Sequence, residues 1–315
     1  MKKRAIFFLV IFIFTAILIR FVSFAGEKPK VVVVLKDLNS QYFEIVKAGA
    51  ENGFRDFSLD GNVIAPISGT VEEQAKMLEN VLKENPDVLI ISPTYSTPII
   101  PILDRFVEQN IPVLLLDTDD PWKSKTAYIG TDNFELGRKA GILLATELQP
   151  GDKVAMIGGE NPVISGRRMK GAKISLETVG IKIATVKTDL SELSNDPIPI
   201  KEATEEILRD HPDVKGIMAV NDTIAVHVLK TLKEHDLIIP VTGADGIIEM
   251  VESIEEGTLP SSVVQNPYDM GYLSVETALK VTNGETVEKH IDSGVDFIFK
   301  QNATQRLDFT RDLLR

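Results

Sequence analysis

The sequence predicts an α/β protein built from two doubly wound parallel-sheet lobes. Three observations predict it. Short apolar runs alternate with amphipathic stretches along most of the chain, which is the signature of βαβ units and a parallel sheet. The alternation runs through two successive series, and 315 residues exceed the roughly 250–300 that one core fills. The two series also echo one another. "ENPDVLIIS" (84–92) and "DHPDVKGIM" (210–218) each end a helix and open a strand, and about one βα unit later "NIPVLLLD" meets "IIPVTGAD". Matched order and spacing argue for a duplicated architecture over two separate uses of Pro-Asp as a helix stop.

The first series opens on "VVVVL" (31–35), a β-branched run suited to a strand buried on both faces. "QYFEIVKAGAENGFRDF" follows with the three-to-four spacing of a helix. Then come "NVIAPIS" (strand), "TVEEQAKMLENVLKENP" (helix), "VLIISP" (strand), "TPIIPILDRFVEQN" (helix) and "IPVLLLD" (strand). The second series starts at "KVAMIGG" (153–159). It continues through "GRRMKGAKISLETVG", "IKIATVKTD", "PIKEATEEILRDHP", "KGIMAVND", "AVHVLKTLKEHD" and "IPVTGAD". The tail, "SSVVQNPYDMGYLSVETALKVTNGE" to "SGVDFIF", predicts a strand, a long helix and a strand. That is too little for a third domain and suits segments that cross back between two lobes.

The net charge of −12 argues against nucleic acid or an anionic membrane surface as the main partner. The absence of cysteine removes disulfides, thiolate metal sites, cysteine nucleophiles and a lipid-modified N-terminal cysteine. Residues 1–25 differ in kind: "MKKR" precedes fifteen uninterrupted apolar or small residues, then Arg20 and "FVSFA". Two readings stand. One is a secretory signal with Ser23 and Ala25 before a cut at Gly26. The other is an uncleaved anchor over residues 5–25 with Arg20 snorkelling outward. Both place the remainder outside the cytoplasm, behind a polar linker at 26–30.

In open parallel sheets, ligands bind beyond the carboxyl ends of the strands. Lys36, Asp37, Asn39, Ser40, Tyr42 and Phe43 follow the first apolar run; Ser92, Thr94 and Tyr95 follow the third; Asp117, Asp119 and Trp122 follow the fourth. In the second series Glu160, Asn161 and Arg167-Arg168 follow "VAMIGG", and Asn221-Asp222 and Asp245 close the set. Carboxylates, amides, guanidinium groups and aromatic rings in one place suit a neutral polyol. Asp222, directly before "TIAVHVL", is expected to cap that helix. No phosphate-binding loop is present, "DTDDPWKSKTAY" lacks the glycine and glutamate of a calcium loop, and the four histidines show no metal-ligand spacing. No cofactor, metal or catalytic residue is therefore expected. A carboxylate pair for glycoside cleavage stays open, with 46 acids in the chain.

Four stretches, "YIGTDNFELGRKAG", "VNDTIAVHVLKTL", "VTGADGIIEMVESIEEGTL" and "VVQNPYDMGYLSVETA", carry a resemblance over residues 30–305. The chain resembles periplasmic sugar-binding proteins of the ribose-binding type, whose ligand domain is shared with LacI-like repressors. The resemblance implies the type I periplasmic binding protein fold. Its two lobes are 31–131 with 266–294 and 132–265 with 295–315, joined by a three-strand hinge near 131–133, 264–267 and 293–296. It implies that Phe43, with Tyr42 beside it, stacks on the sugar ring and that Asp117 binds two hydroxyls. Arg168 forks onto ring and hydroxyl oxygens, and Asn221, Asp245 and Gln265 complete the polar contacts, with Ser92 added as a ligand residue from its place after the third apolar run. Lys36, Ser40, Asp119 and Trp122 are further candidates. Two departures stand out: Thr118 replaces the arginine usual after the first acid, and Lys36 stands where a small polar residue is common. The implied function is monosaccharide binding for the permease of an ABC-type importer. The alternative is a membrane-anchored receptor read by a sensor histidine kinase, and a secreted glycoside hydrolase is the remote one. A hydrophobic segment in place of a helix-turn-helix, with an acidic balance, excludes DNA.

Overall fold

The computed structural model describes residues 28–159, 161–190 and 198–315. The expected signal or anchor at 1–25 lies outside them. Among the described residues no helix is long and apolar enough to cross a membrane.

The first series folds as β1 (Lys30–Val34), α1 (Gln41–Asp56), β2 (Asp60–Ile64), α2 (Val71–Glu84), β3 (Val88–Ile91), α3 (Ser96–Glu108) and β4 (Val113–Leu116). β5 (Ala127–Gly130) and α4 (Asn133–Ala145) follow, filling a stretch to which the periodicity assigned no elements. The second series is β6 (Lys153–Gly159), α5 (Pro162–Thr178), β7 (Lys182–Leu190), α6 (Ile198–Asp210), β8 (Val214–Ala219), α7 (Asp222–Glu234), β9 (Val241–Thr242) and α8 (Ile248–Glu256). The tail holds β10 (Ser261–Gln265), α9 (Pro267–Thr282), β11 (His290–Asp292), β12 (Val295–Phe299) and α10 (Lys300–Leu313). β11 and α10 are additions to the strand–helix–strand expected there.

The N-terminal sheet is parallel throughout, in the order β11-β5-β4-β3-β1-β2. The C-terminal sheet is also parallel, in the order β7-β6-β8-β9. Each series therefore lays its second strand outside its first and its third and fourth on the other side, so the echo in the sequence is also one of topology. β1 shows why an uninterrupted valine run is needed. Val31, Val33 and Leu35 join one apolar cluster with α1 and α9, while Val32 and Val34 join a second one with α2 and α3. A strand covered on both faces has no room for a polar alternate position.

The late segments divide between the two cores. Met270, Val275 and Ala278 of α9 pack with Val31, Val33 and Tyr42. Val263 and Val264 of β10, Ile298 of β12 and Ala303 and Leu307 of α10 pack with Leu136, Ile157 and Ile217. The chain crosses between the cores after β5, after β10 and between β11 and β12, and hydrogen bonds tie these crossings together at Ser293. The Ser293 amide donates to the Gly130 carbonyl at 2.9 Å. The Thr131 and Ser293 hydroxyls lie 3.4 Å apart, and the Asn266 amide donates to the Ser293 carbonyl at 3.3 Å. β10 and β12 pair antiparallel directly beside this point.

α4 and α5 pack backbone to backbone through glycines. A Cβ at Gly137 would lie 1.8 Å from the Arg168 carbonyl oxygen, and one at Gly171 would lie 2.1 Å from that of Phe134. The contact has no flexible side chain that could give way. Gly137→Ala should therefore force the helices apart and lower stability by at least about 1–3 kcal/mol, the usual range for overpacking, as read from the urea midpoint.

Candidate ligand-binding site

The carboxyl ends of β1, β3, β4, β8, β9 and β10 converge. Residue by residue, they carry two polar networks, one from each sheet, that approach one another between Tyr42 and Gln265. Lys36, just past β1, places its ammonium 2.9 Å from Asp117 Oδ2. Asp117 follows β4 and is engaged at both oxygens: Oδ2 also accepts from Thr118 Oγ1 at 3.0 Å and Ser92 Oγ at 3.5 Å, and Oδ1 accepts from the Tyr42 hydroxyl at 3.0 Å. The Tyr42 oxygen also lies 3.4 Å from Gln265 Oε1. Gln265 ends β10 and donates from Nε2 to Asp245 Oδ1 at 2.7 Å. The Arg168 guanidinium stands 3.8 Å from the same Asp245 oxygen, donates from Nε to Asn133 Oδ1 at 2.7 Å and from Nη1 to the Val220 carbonyl at 2.7 Å.

The charge states follow from these neighbours. Burial works against ionisation of Asp117, but the Lys36 ammonium and the bonds from Thr118 and Tyr42 outweigh it and hold the carboxyl below its usual range. Burial, with the charges of Asp117 and Asp245, pushes the Tyr42 phenol well above its ordinary value. Tyr42 is thus a fixed neutral donor between two acids. Asp117 itself has φ +64°, left-handed backbone that non-glycine residues rarely adopt. The Tyr128 hydroxyl, donating to the Asp117 carbonyl at 2.9 Å, and the Asp117 amide, donating to Ile129 at 2.9 Å, hold it there. Such outliers gather at ligand sites because only an over-determined surrounding sustains them.

Phe43 is buried beside Tyr42 in an edge-on arrangement with centroids 5.2 Å apart, and the Lys36 ammonium lies 5.6 Å from the centre of its ring. The expected site residues Lys36, Tyr42, Phe43, Ser92, Asp117, Arg168, Asp245 and Gln265 are therefore brought together. Asn221 sits at the same rim. Its Oδ1 accepts from the Ile224 amide at 2.9 Å, which makes Asn221 the N-cap of α7.

This corrects the expectation that Asp222 is the cap. Asp222 is fully buried, and its carboxylate clamps the loop after β9. Oδ1 accepts from the Ala244 amide at 2.7 Å, and Oδ2 from the amides of Gly246 at 2.5 Å and Ile247 at 3.0 Å. Asp245, between those donors, is aimed at the cleft by this clamp, and the Asp222 amide donates to its Oδ2 at 3.3 Å.

Three further candidates lie apart from the network. Ser40 begins α1 with its amide bonded to Asp37 Oδ1 at 2.8 Å. Asp119 is paired with Lys125. Trp122 donates from its indole to Asp104 on α3 at 2.9 Å and packs against the cluster beneath α2 and α3. Sequence reasoning named neither Asn133 nor Gln41 as a site residue. Asn133 falls in the expected hinge at 131–133 and opens a helix that the periodicity did not assign, and Gln41 accepts a bond from a residue 207 positions away, which nothing local marks.

Burial pushes the Asp222 carboxyl up to about 7, with the charge of Asp245 adding to the shift and the backbone donors opposing it. An unfolded aspartate titrates near 4, so between about pH 4 and 7 the native state holds a proton that the unfolded chain has lost. That stability is complete below pH ~4 and disappears as pH rises through 7. The melting-temperature difference between wild type and the non-titrating Asp222→Asn variant should shrink from pH 5 to pH 8. The change corresponds to on the order of 2–4 kcal/mol; a difference independent of pH would contradict the assignment.

Comparison with known proteins agrees with this fold. Residues 31–286 match a periplasmic binding protein domain. A D-ribose/D-allose-binding protein of Pseudomonas aeruginosa is 25% identical over 283 residues, covering 86% of this chain and 87% of the relative. A ribose import binding protein of Bacillus subtilis is 27% identical over 276 residues, covering 86% of this chain and 88% of the relative. Among solved structures, a glucose-galactose binding protein from Geobacillus stearothermophilus superposes with a TM-score of 0.79 at 26% identity, covering 88% of this chain and 99% of that one. These relatives are binding proteins rather than enzymes, which leaves the hydrolase alternative without support. On the match over 31–286 the chain belongs to the periplasmic binding protein domain family, with its type I fold of two parallel-sheet units.

Proposed function

We propose that this chain binds a monosaccharide outside the cytoplasm by hinged closure and delivers it to the permease of an ABC-type importer. The observation that carries the reading is the approach of two strand-end networks: Tyr42, donating to Asp117 of one sheet, brings its oxygen to 3.4 Å from Oε1 of Gln265, which donates to Asp245 of the other. A ligand held there is touched by both. Lobes 31–131 with 266–294 and 132–265 with 295–315 then move as bodies about the crossings tied at Ser293. A ligand shifts an open–closed balance only through contacts that exist in one of the two states. In the closed state hydroxyls of the sugar exchange with members of the two networks: Asp117 and Asp245 accept, while Arg168, Asn221 and Gln265 donate. Phe43 offers its ring face. The sugars named for the relatives, ribose and allose among them, support a pentose or hexose as the ligand class.

One feature favours a second reading. Arg20 interrupts the segment ahead of the expected cut, and the chain has no cysteine for a lipid tether. An uncleaved N-terminus would keep the protein at the membrane, as a receptor for a sensor kinase requires. Mass spectrometry of the mature N-terminus separates the two, because a start at Gly26 supports the transporter reading and an intact residue 1 the receptor.

The ligand itself is tested by thermal shift against pentoses, hexoses and their phosphates. A hundredfold excess over Kd should stabilise the protein by about 2.7 kcal/mol, a rise of several degrees for one free monosaccharide. Asp245→Ala removes the acceptor of Gln265 and Arg168. At about 1.5–3 kcal/mol for each hydrogen bond to a charged group, it should erase that rise while the variant still unfolds cooperatively. An undiminished shift in Asp245→Ala would place the site elsewhere.

A further inference from the structure

α8 begins directly after the loop that carries Asp245, and its first amides need acceptors from outside the helix. Ile247, at the N-cap position, supplies none from its own side chain. Its amide is taken by Asp222 within the same half. The next amide, that of Ile248, donates to Gln41 Oε1 at 2.7 Å, and Gln41 is the first residue of α1 in the other half. A helix of the C-terminal unit is thus capped by a side chain of the N-terminal unit. Gln41 is half-buried, adjoins Tyr42, and reaches the loop three residues beyond Asp245, so the bond sits on the rim of the cleft.

We propose that Gln41 is an interlobe cap that sets the resting balance between open and closed forms. The proposal rests on the hinged-closure reading above. Opening withdraws Oε1 from Ile248 and leaves the amide to water, so the bond exists in the closed form alone. An interaction confined to the closed form raises the fraction of molecules competent to hold ligand, and apparent affinity scales with that fraction. Gln41 does so through a backbone amide, without reading the sugar. Its contribution is therefore the same factor for every ligand that closes the cleft, whereas a ligand-contacting residue would discriminate among them.

The test compares wild type, Gln41→Met and Gln41→Glu in the full chain. Met keeps the bulk and lacks the acceptor; Glu keeps the acceptor at a helix N-terminus. Because the chain has no cysteine, Glu72→Cys on α2 and Glu202→Cys on α6, both exposed, give unique dye sites for energy transfer across the cleft. Without sugar, Gln41→Met should shift the distance distribution toward the open form, and Gln41→Glu should leave it near wild type. Calorimetry with D-ribose, D-allose, D-arabinose, D-galactose and D-glucose should show each sugar that binds weakened by the same factor in Gln41→Met, about three- to tenfold, and restored in Gln41→Glu. Unchanged distances and affinities in Gln41→Met, or weakening confined to one sugar, would overturn the proposal while leaving sugar binding intact. Failure of every sugar to bind wild type would remove the closure reading and this proposal with it.

Discussion

The structure is organised around an electrostatic constraint: two carboxylates, Asp117 and Asp245, face one another across a cleft that excludes most of the water able to solvate them. A buried charge persists only when it is paired and hydrogen-bonded. Each acid therefore carries its own cation, Lys36 at 2.9 Å from Asp117 and Arg168 at 3.8 Å from Asp245. Between them stand two neutral groups, the Tyr42 phenol and the Gln265 amide, which extend the pairs toward one another without adding charge. The resulting array from Lys36 to Asn133 has no net charge. A neutral polyol would suit it because hydroxyls both donate and accept, and can bond to either acid or either cation while the ion pairs stay in place.

The scaffold makes that array rigid at its ends and adaptable in its middle. Asp117 is fixed by left-handed backbone held from Tyr128 and Ile129. Asp245 is fixed by Asp222, which gathers the loop amides of Ala244, Gly246 and Ile247, on either side of it, onto one carboxylate. Arg168 is pinned by Asn133 and Val220 on a helix whose spacing from α4 is set by glycine. The middle members, Tyr42 and Gln265, lie beside the crossing segments, where one backbone leaves β10 for α9. In the proposed closure, small rotations about those segments would move the two ends as bodies, preserving geometry at each acid while the distance between them changes.

How much of this was legible in sequence depended on the range of each interaction. Strands covered on both faces announce themselves as uninterrupted apolar runs, and β1, β3 and β4 were read that way, β1 as a β-branched one. β5 has the composition of a strand but only four residues, "AYIG", too short for a period to show. α10 has a weak apolar face, with buried Ala303, Leu307 and Thr310 among polar neighbours. Strand-end chemistry located Lys36, Asp117, Asn221 and Asp245 because the rule for open sheets is local. It assigned Asp222 wrongly because Asn-Asp offers two side chains of similar capping strength, and the structure spends the amide on the helix and the carboxylate on the loop. Trp122 is drawn away from the cleft by Asp104, eighteen positions earlier on α3, a partner that no local pattern reveals.

The two departures from the ribose-type pattern turn out to be one event seen twice. An arginine is expected directly after the first acid and a small polar residue at the end of β1; the chain has Thr118 and Lys36 instead. In the fold both side chains converge on the same Asp117 oxygen, Thr118 as a neutral donor at 3.0 Å and Lys36 as a cation at 2.9 Å. The positive charge beside the acid thus comes from the end of β1 and not from the residue after β4. What changes is direction. A guanidinium beside Asp117 would approach from the β4 loop with a planar fork. The Lys36 ammonium approaches from β1, across the face of Phe43, as a point charge with donors that can swing. The wall of the cleft above Phe43 therefore carries its cation on a different strand, and more flexibly, than the pattern implies. On the proposed function, selectivity among monosaccharides would be governed by the space and charge that Lys36 leaves above Phe43, a property of the folded cleft and not of any single motif.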